Sequence, residues 1–259
     1  SPFIIMATLI DSYNNLKDIL GPNYKEPFEV VAHVNKLKNY WKPEKIKVIL
    51  LAESHVYTSK EEFSVSLNLS KIPLPDYPEN FVKYIYCLGY GENDLLKGVV
   101  EKNPGSSQFW KIFHSCVSDI KENPDFDPVL KTRNKNFNER IKSKISTLQK
   151  LKDRGIWLVD LSIVGLYIPG EPKPSLKLQN KVLSYCWEKL IREEVEEAAP
   201  EHLIIIGKGV GRVLENMLSA AQVKSLTVLN QPQAKLSSKE QLELYVTCSN
   251  ICNTLKVTV

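Results

Sequence analysis

"KVILLAESHVYTS", residues 47–59, decides the fold of this chain. Its first half, Val48-Ile49-Leu50-Leu51, is a short continuous apolar run rich in β-branched residues. That is the pattern of a parallel strand buried on both faces. Its second half crowds Glu53, Ser54, His55, Tyr57, Thr58 and Ser59 behind Ala52, where a strand normally hands over to Gly, Asn or Pro. Three further runs have the same character: GIWLVD (155–160), HLIIIG (202–207) and LTVLN (226–230). Helical patterns lie between the later runs. LKLQNKVLSYCWEKLIREEVEEA (176–198) repeats apolar residues at about 3.6 spacing, and GRVLENMLSAA follows the third run. Ser237 and Ser238 stand three residues before Glu240 and Gln241, a capping-box pattern that starts a terminal helix. Strand–helix–strand alternation predicts a three-layer α/β/α protein around a central four-stranded parallel sheet. We expect one domain over residues 1–259, with an insertion of helices and ordered loops over about residues 60–150.

Composition narrows the class. A chain of 259 residues with 43% hydrophobic and 25% charged content reads as an ordinary globular protein. No apolar run approaches the roughly 20 residues that span a bilayer, so no membrane segment is expected. The opening SPFIIMATLI lacks a basic n-region and a cleavage site, and so makes a poor secretory signal. The net charge of +4 admits a polyanionic partner without requiring one. Basic residues gather in LKTRNKNFNERIKSKISTLQKLKDRG (130–155), read as a solvated helix face. Five cysteines with no CxxC pair point to reduced thiols in an intracellular protein of cytoplasm or nucleus, and to no metal site. Cys248 and Cys252 share one helix face, where core packing is their expected role. The glycines of GKGVG (207–211) have the wrong spacing and the wrong strand for a dinucleotide fingerprint, so no cofactor is expected.

Parallel sheets place ligands outside the carboxyl ends of their strands. The first strand is followed by Glu53, Ser54, His55 and Tyr57, and the second ends in Asp160. The third is followed by Lys208, the fourth by Asn230, Gln231 and Gln233. Two carboxylates at strand ends can divide acid and base roles if their environments separate their pKa values. Tyr84, Tyr86, Tyr90, Phe109, Trp110 and Phe113 are expected in the core of the insertion. His33, His114 and His202 are read as structural or exposed.

The order of these strand ends resembles the uracil-DNA glycosylase superfamily. KVILLAESHVY stands where that family has GQDPYH or GEAPG, and EFSV matches the CFSV around its stacking Phe, which points to Phe63. RGIWLVDLSIVGLY resembles GVLLLN and puts Asp160 at the position of the base-reading Asn. VLNQPQAKLSS lies where HPS would be, and VTCSNICNTL resembles the terminal helix. The resemblance covers roughly residues 45–70 and 150–256.

It implies a hydrolase that excises a flipped-out damaged or deaminated base from single- or double-stranded DNA in base excision repair, as a monomer. In that scheme Glu53 activates the water and Gln231, with Lys208, stabilises the departing base. Phe63 stacks on the base, Asp160 reads its edge, and Ser237 at the helix N-terminus holds a phosphate. The water-activating Asp of GQDPYH falls at Ser54, so Glu53, matching GEAPG, carries that role. The His of HPS is replaced by Gln231, a neutral donor. Asp160 in place of Asn can accept but not donate, which moves the expected preference from uracil to edges with an amine or ring N–H: cytosine-like bases, adenine or hypoxanthine. Two alternatives stay open: a nucleic-acid binder that kept the fold without catalysis, and an N-glycoside hydrolase acting on RNA or a free nucleoside.

Overall fold

The four apolar runs form four strands: β1 (Val48–Ala52), β2 (Ile156–Asp160), β3 (His202–Ile206) and β4 (Leu226–Leu229). They join in one all-parallel sheet of order β2-β1-β3-β4. The structure, a computed structural model, describes residues 2–215, 217–218, 223–231 and 234–255. The register pairs Ile49 with Leu203 and Ile205 with Val228. Burial follows position in the sheet. All of β1 is buried, β2 is buried up to Asp160, and edge strand β4 is only half covered, with Leu226 and Val228 exposed. Continuous apolar sequence is what a strand covered on both faces requires.

Helices flank the sheet in a three-layer α/β/α arrangement. In chain order they are α1 (Pro2–Leu20), α2 (Phe28–Tyr40), α3 (Lys60–Phe63), α4 (Ser107–Cys116), α5 (Phe137–Asp153), α6 (Leu176–Cys186), α7 (Arg192–Ala198), α8 (Lys208–Leu214) and α9 (Ser238–Thr254). A π-helical turn at Trp187–Ile191 joins α6 to α7, so the pattern read over 176–198 is one helical run with a widened turn. Among the described residues, no helix is long and apolar enough to cross a membrane.

The contacts divide the chain into two compact units, each built from three separate segments. The first comprises residues 1–40, 52–105 and 160–197; the second comprises 41–51, 106–159 and 198–259. In the first unit α1 packs on α2 and α6, and Tyr13 meets Phe28 with ring centroids 5.4 Å apart. In the second, α9 packs along α4 with Cys248 and Cys252 buried, as their spacing implied. The Ser249 hydroxyl receives the Ile120 N–H there, at 2.9 Å.

Most basic residues of the stretch over 130–155 are exposed, as a solvated face requires, and two depart from that reading. Arg140 and Lys144 of α5 are buried, at 2% and 4% exposure. Arg140 donates to the Asn134 carbonyl at 2.7 Å, and the Lys144 ammonium lies over the Trp110 ring, 4.9 Å from its centroid. Their aliphatic stems cover apolar surface while carbonyl and ring partners take the charge. The aromatic residues assigned to the core of the insertion are buried, apart from Phe109, which is half-buried.

Candidate active site

The polar crowding behind β1 separates into structural and chemical groups once each side chain is placed. Ser59 caps α3 in a reciprocal box: its hydroxyl accepts from the Glu62 N–H at 3.1 Å, and its own N–H donates to the Glu62 carboxylate at 2.9 Å. The Thr58 hydroxyl accepts from the Lys83 N–H at 2.9 Å, and the Lys83 ammonium pairs with Glu62 at 2.6 Å. The Ser54 hydroxyl accepts from the Leu166 N–H at 3.3 Å. The Leu161 N–H donates to the Ala52 carbonyl and the Ser162 N–H to the Glu53 carbonyl, at 2.8 and 2.9 Å, so the ends of β1 and β2 stay in register past the sheet.

The organising group is one that sequence reading missed. Glu26, just ahead of α2, is fully buried. Its Oε1 accepts from His55 Nε2 at 2.9 Å, the Gly165 N–H at 2.9 Å and the Tyr24 hydroxyl at 3.1 Å, and its Oε2 accepts from the Thr58 N–H at 2.9 Å. A buried carboxylate is tolerable only when its oxygens are satisfied in this way. Gly165 makes the approach possible. A Cβ there would lie 2.6 Å from the Tyr57 backbone and 2.9 Å from Glu26 Oε2. In sequence Glu26 is an acidic residue before a Pro and a helix, indistinguishable from a solvated one.

Among the buried polar atoms of the first unit without a hydrogen-bond partner are His55 Nδ1, Tyr84 Oη and Asp160 Oδ2. The His55 and Tyr84 rings meet edge to face at 6.4 Å. Burial pushes the Asp160 carboxyl up to about 6, against the pull of His55 and Lys38, with Glu53 adding to the rise and the His55 N–H opposing it. Burial would lower the His55 pKa, but the charge and hydrogen bond of Glu26, helped by Asp160, outweigh it and hold the imidazole above its ordinary value. Burial, then Asp160, hold the Tyr84 phenol well above its usual range. Lys38 is itself tied to Glu194, 2.7 Å from each carboxylate oxygen. Glu53 is half-exposed. Glu53 and Asp160 are both partly covered as residues, and of Asp160 one carboxyl oxygen is sealed from water.

The remaining predicted residues fall as follows. Tyr57 is half-buried, edge-on to Tyr24 at 5.9 Å. Phe63 is half-buried with its ring against the edge of His33 at 5.5 Å, and burial lowers His33 to about 4. These residues belong to the first unit with Glu53, Ser54, His55 and Asp160. In the second unit, Gln231 packs over Gly207, whose φ of +110° and close approach exclude a side chain: a Cβ would lie 2.8 Å from Gln231 Cγ. Lys208 is exposed at the start of α8 and Asn230 is half-buried after β4. The Ser237 hydroxyl accepts from the Glu240 N–H at 3.2 Å, in the capping box its sequence announced, so phosphate binding there would compete with the cap. Gln233 lies outside the described residues.

Fold and site define an α/β protein with paired carboxyl groups at the carboxyl ends of a parallel sheet. No protein-family model, curated protein or solved structure matches the chain.

Two measurements check this geometry. Gly165→Ala forces a Cβ into backbone, and urea unfolding should show a loss of about 1–3 kcal/mol. Asp160 titrates higher folded, at about 6, than its ordinary value of roughly 3.9. Its contribution to stability is therefore complete below about pH 4 and is lost as pH rises through 6. Asp160→Asn lacks that dependence, so its stability relative to the wild type should climb between pH 4 and 7. Parallel urea curves across that range would contradict the buried carboxyl.

Proposed function

We propose that the chain hydrolyses N-glycosidic bonds, acting on a base extruded from DNA. The observation that carries this reading is the buried, unpartnered Oδ2 of Asp160 on a carboxyl raised to about 6, at the strand end beside half-exposed Glu53. Carboxyl groups at neighbouring strand ends suit a reaction that needs one group to activate water and another to bind a polar edge. The resemblance of the strand-end motifs to uracil-DNA glycosylases supplies the bond and the polymer.

In this scheme Glu53 takes a proton from water as its oxygen attacks C1′ of an oxocarbenium-like sugar. The C1′–N bond breaks, its electron pair leaves with the base, the base takes a proton from solvent, and Glu53 returns the water's proton to solvent. Asp160 meets the edge of that base. Ionised, it accepts from an exocyclic amine or a ring N–H; protonated, it donates to a carbonyl. A raised carboxyl makes this a matter of pH, so the disadvantage of uracil against amino-bearing bases holds above about pH 7 and fades below 6. A mismatched polar pair in a closed pocket costs about 1–3 kcal/mol, roughly 5–150-fold in discrimination.

The test uses labelled oligonucleotides, single- and double-stranded, carrying uracil, hypoxanthine, xanthine, 5-hydroxymethyluracil or unmodified bases, assayed for alkali-labile sites between pH 5 and 8. Excision that falls at least about 100-fold in Glu53→Ala supports the enzyme. Asp160→Asn should shift preference toward uracil and flatten its pH dependence. Binding without cleavage across the panel would overturn the proposal in favour of a nucleic-acid binder. Release from nucleosides or RNA alone would replace the polymer but keep the bond.

A further inference from the structure

We propose that Glu26 is a positioning residue of this site: by anchoring His55 through Nε2 it keeps a cation beside Asp160 and so sets the proton occupancy of that carboxyl. The inference deepens the base-excision reading and rests on it only where base preference is concerned.

The geometry is a buried Glu26–His55 pair, with the Asp160 carboxyl held at the His55 backbone N–H. Glu26 and the His55 side chain are both without solvent exposure, and their contact is 2.9 Å. Glu26 has a hydrogen-bond partner on each carboxylate oxygen, from Thr58, Gly165, Tyr24 and His55, so its position is fixed by segments far apart in sequence. With Nε2 turned to Glu26, the imidazole's other nitrogen, Nδ1, is left without a partner, as is Asp160 Oδ2. A histidine locked by a carboxylate on one nitrogen has its charge favoured and its free nitrogen defined.

Charged and titratable groups face the pair from several elements, Tyr86 beside Tyr84 and Glu29, Glu61, Glu62 and Glu171 around the phenols near Glu26 among them. Asp160 meets His55 and Glu53 from the end of β1, Lys38 from α2 and Tyr84 from the segment after α3. His55 meets Glu26, Asp160 and Tyr84. Lys38 is held by Glu194, which also faces Tyr84. Tyr13, Tyr24 and Tyr57 surround Glu26, and burial together with its charge raises all three phenols, keeping them protonated. His55 is thus the group beside Asp160 whose charged form Glu26 favours.

The consequence has a definite sign. Removing the charge of Glu26 leaves His55 with burial as its dominant influence, and burial favours the neutral ring. Asp160 then loses the cation that pulls its pKa down, and its carboxyl titrates still higher. At neutral pH a larger share of Asp160 carries a proton and donates rather than accepts. On the proposed reading this moves preference toward carbonyl-bearing bases without any change at the residue that touches the base.

The experiment is nuclear magnetic resonance on the full chain. In the wild type at pH 7, the nitrogen shifts of His55 should report both ring nitrogens protonated. The carbon titration of the Asp160 carboxyl should move upward by roughly one unit in Glu26→Gln and in His55→Gln. A neutral His55 in the wild type, or an unmoved Asp160 midpoint in either folded variant, overturns the inference whatever the activity. If neither variant folds, the wild-type nitrogen shifts decide alone. The base panel separates the two proposals. A raised midpoint with no excision of any base leaves the pair standing and removes the glycosylase. A raised midpoint with excision should bring a several-fold gain for uracil over amino-bearing bases at pH 7 in Glu26→Gln.

Discussion

The ordering of the first unit turns on one buried carboxylate. Taking an anion out of water costs several kcal/mol unless its oxygens are met by donors. Glu26 meets that condition with an imidazole, a phenol and two backbone N–H groups drawn from residues 24, 55, 58 and 165. Because those donors come from three stretches of chain, satisfying the charge fixes the stretch after β1 and the loop after β2 in one arrangement. The same demand explains Gly165, where no side chain fits between the Tyr57 backbone and the carboxylate. Rigidity at the strand ends is thus a by-product of a charge that must be solvated by protein.

That arrangement in turn separates two acids that look alike in sequence. Glu53 and Asp160 both end strands, and neither motif says which keeps its proton. Both residues are partly covered, and Asp160 has one oxygen sealed from water beside His55, Lys38 and Tyr84. Desolvation lifts the Asp160 carboxyl and the nearby cations limit the lift, so its value of about 6 is a balance between large opposing effects. A balance of that kind responds to small changes in either partner.

The sheet was legible in the sequence because its signal is local. Four short apolar runs rich in β-branched residues mark the four strands, β4 half exposed among them, and the observed bounds differ from the expected ones by single residues at the ends. The terminal helix was legible for a similar reason, since Ser237 and Glu240 satisfy each other within one turn. Glu26 was not legible, because its partners lie up to 139 residues away and nothing at positions 24 to 28 announces burial. His55 was marked for chemistry, yet its tie to Glu26 could not be read. Tyr84 was placed in the core correctly, but its unpartnered hydroxyl is visible only once Asp160 stands near it. Arg140 and Lys144 failed for the opposite reason: their charge suggested solvent, and their long stems allowed burial. Local periodicity reports which face is covered, and long-range satisfaction of charge decides what the covered groups do.

The unpartnered atoms also bear on the choice between a catalyst and a protein that kept only the fold. A buried polar atom without a partner destabilises a folded chain, and native structures hold few of them. Asparagine at position 160 has nearly the shape of aspartate and would remove a desolvated carboxyl from the strand end. A protein that only binds a polymer by its surface gains nothing from carrying such a group. A protein that must accept from one base edge, or hand over a proton as that edge changes, needs an acid held away from water with its second oxygen uncommitted. On the proposed reading the instability stored at Asp160 is the cost of that readiness, and Glu26, buried where no substrate reaches, is what keeps the cost within bounds.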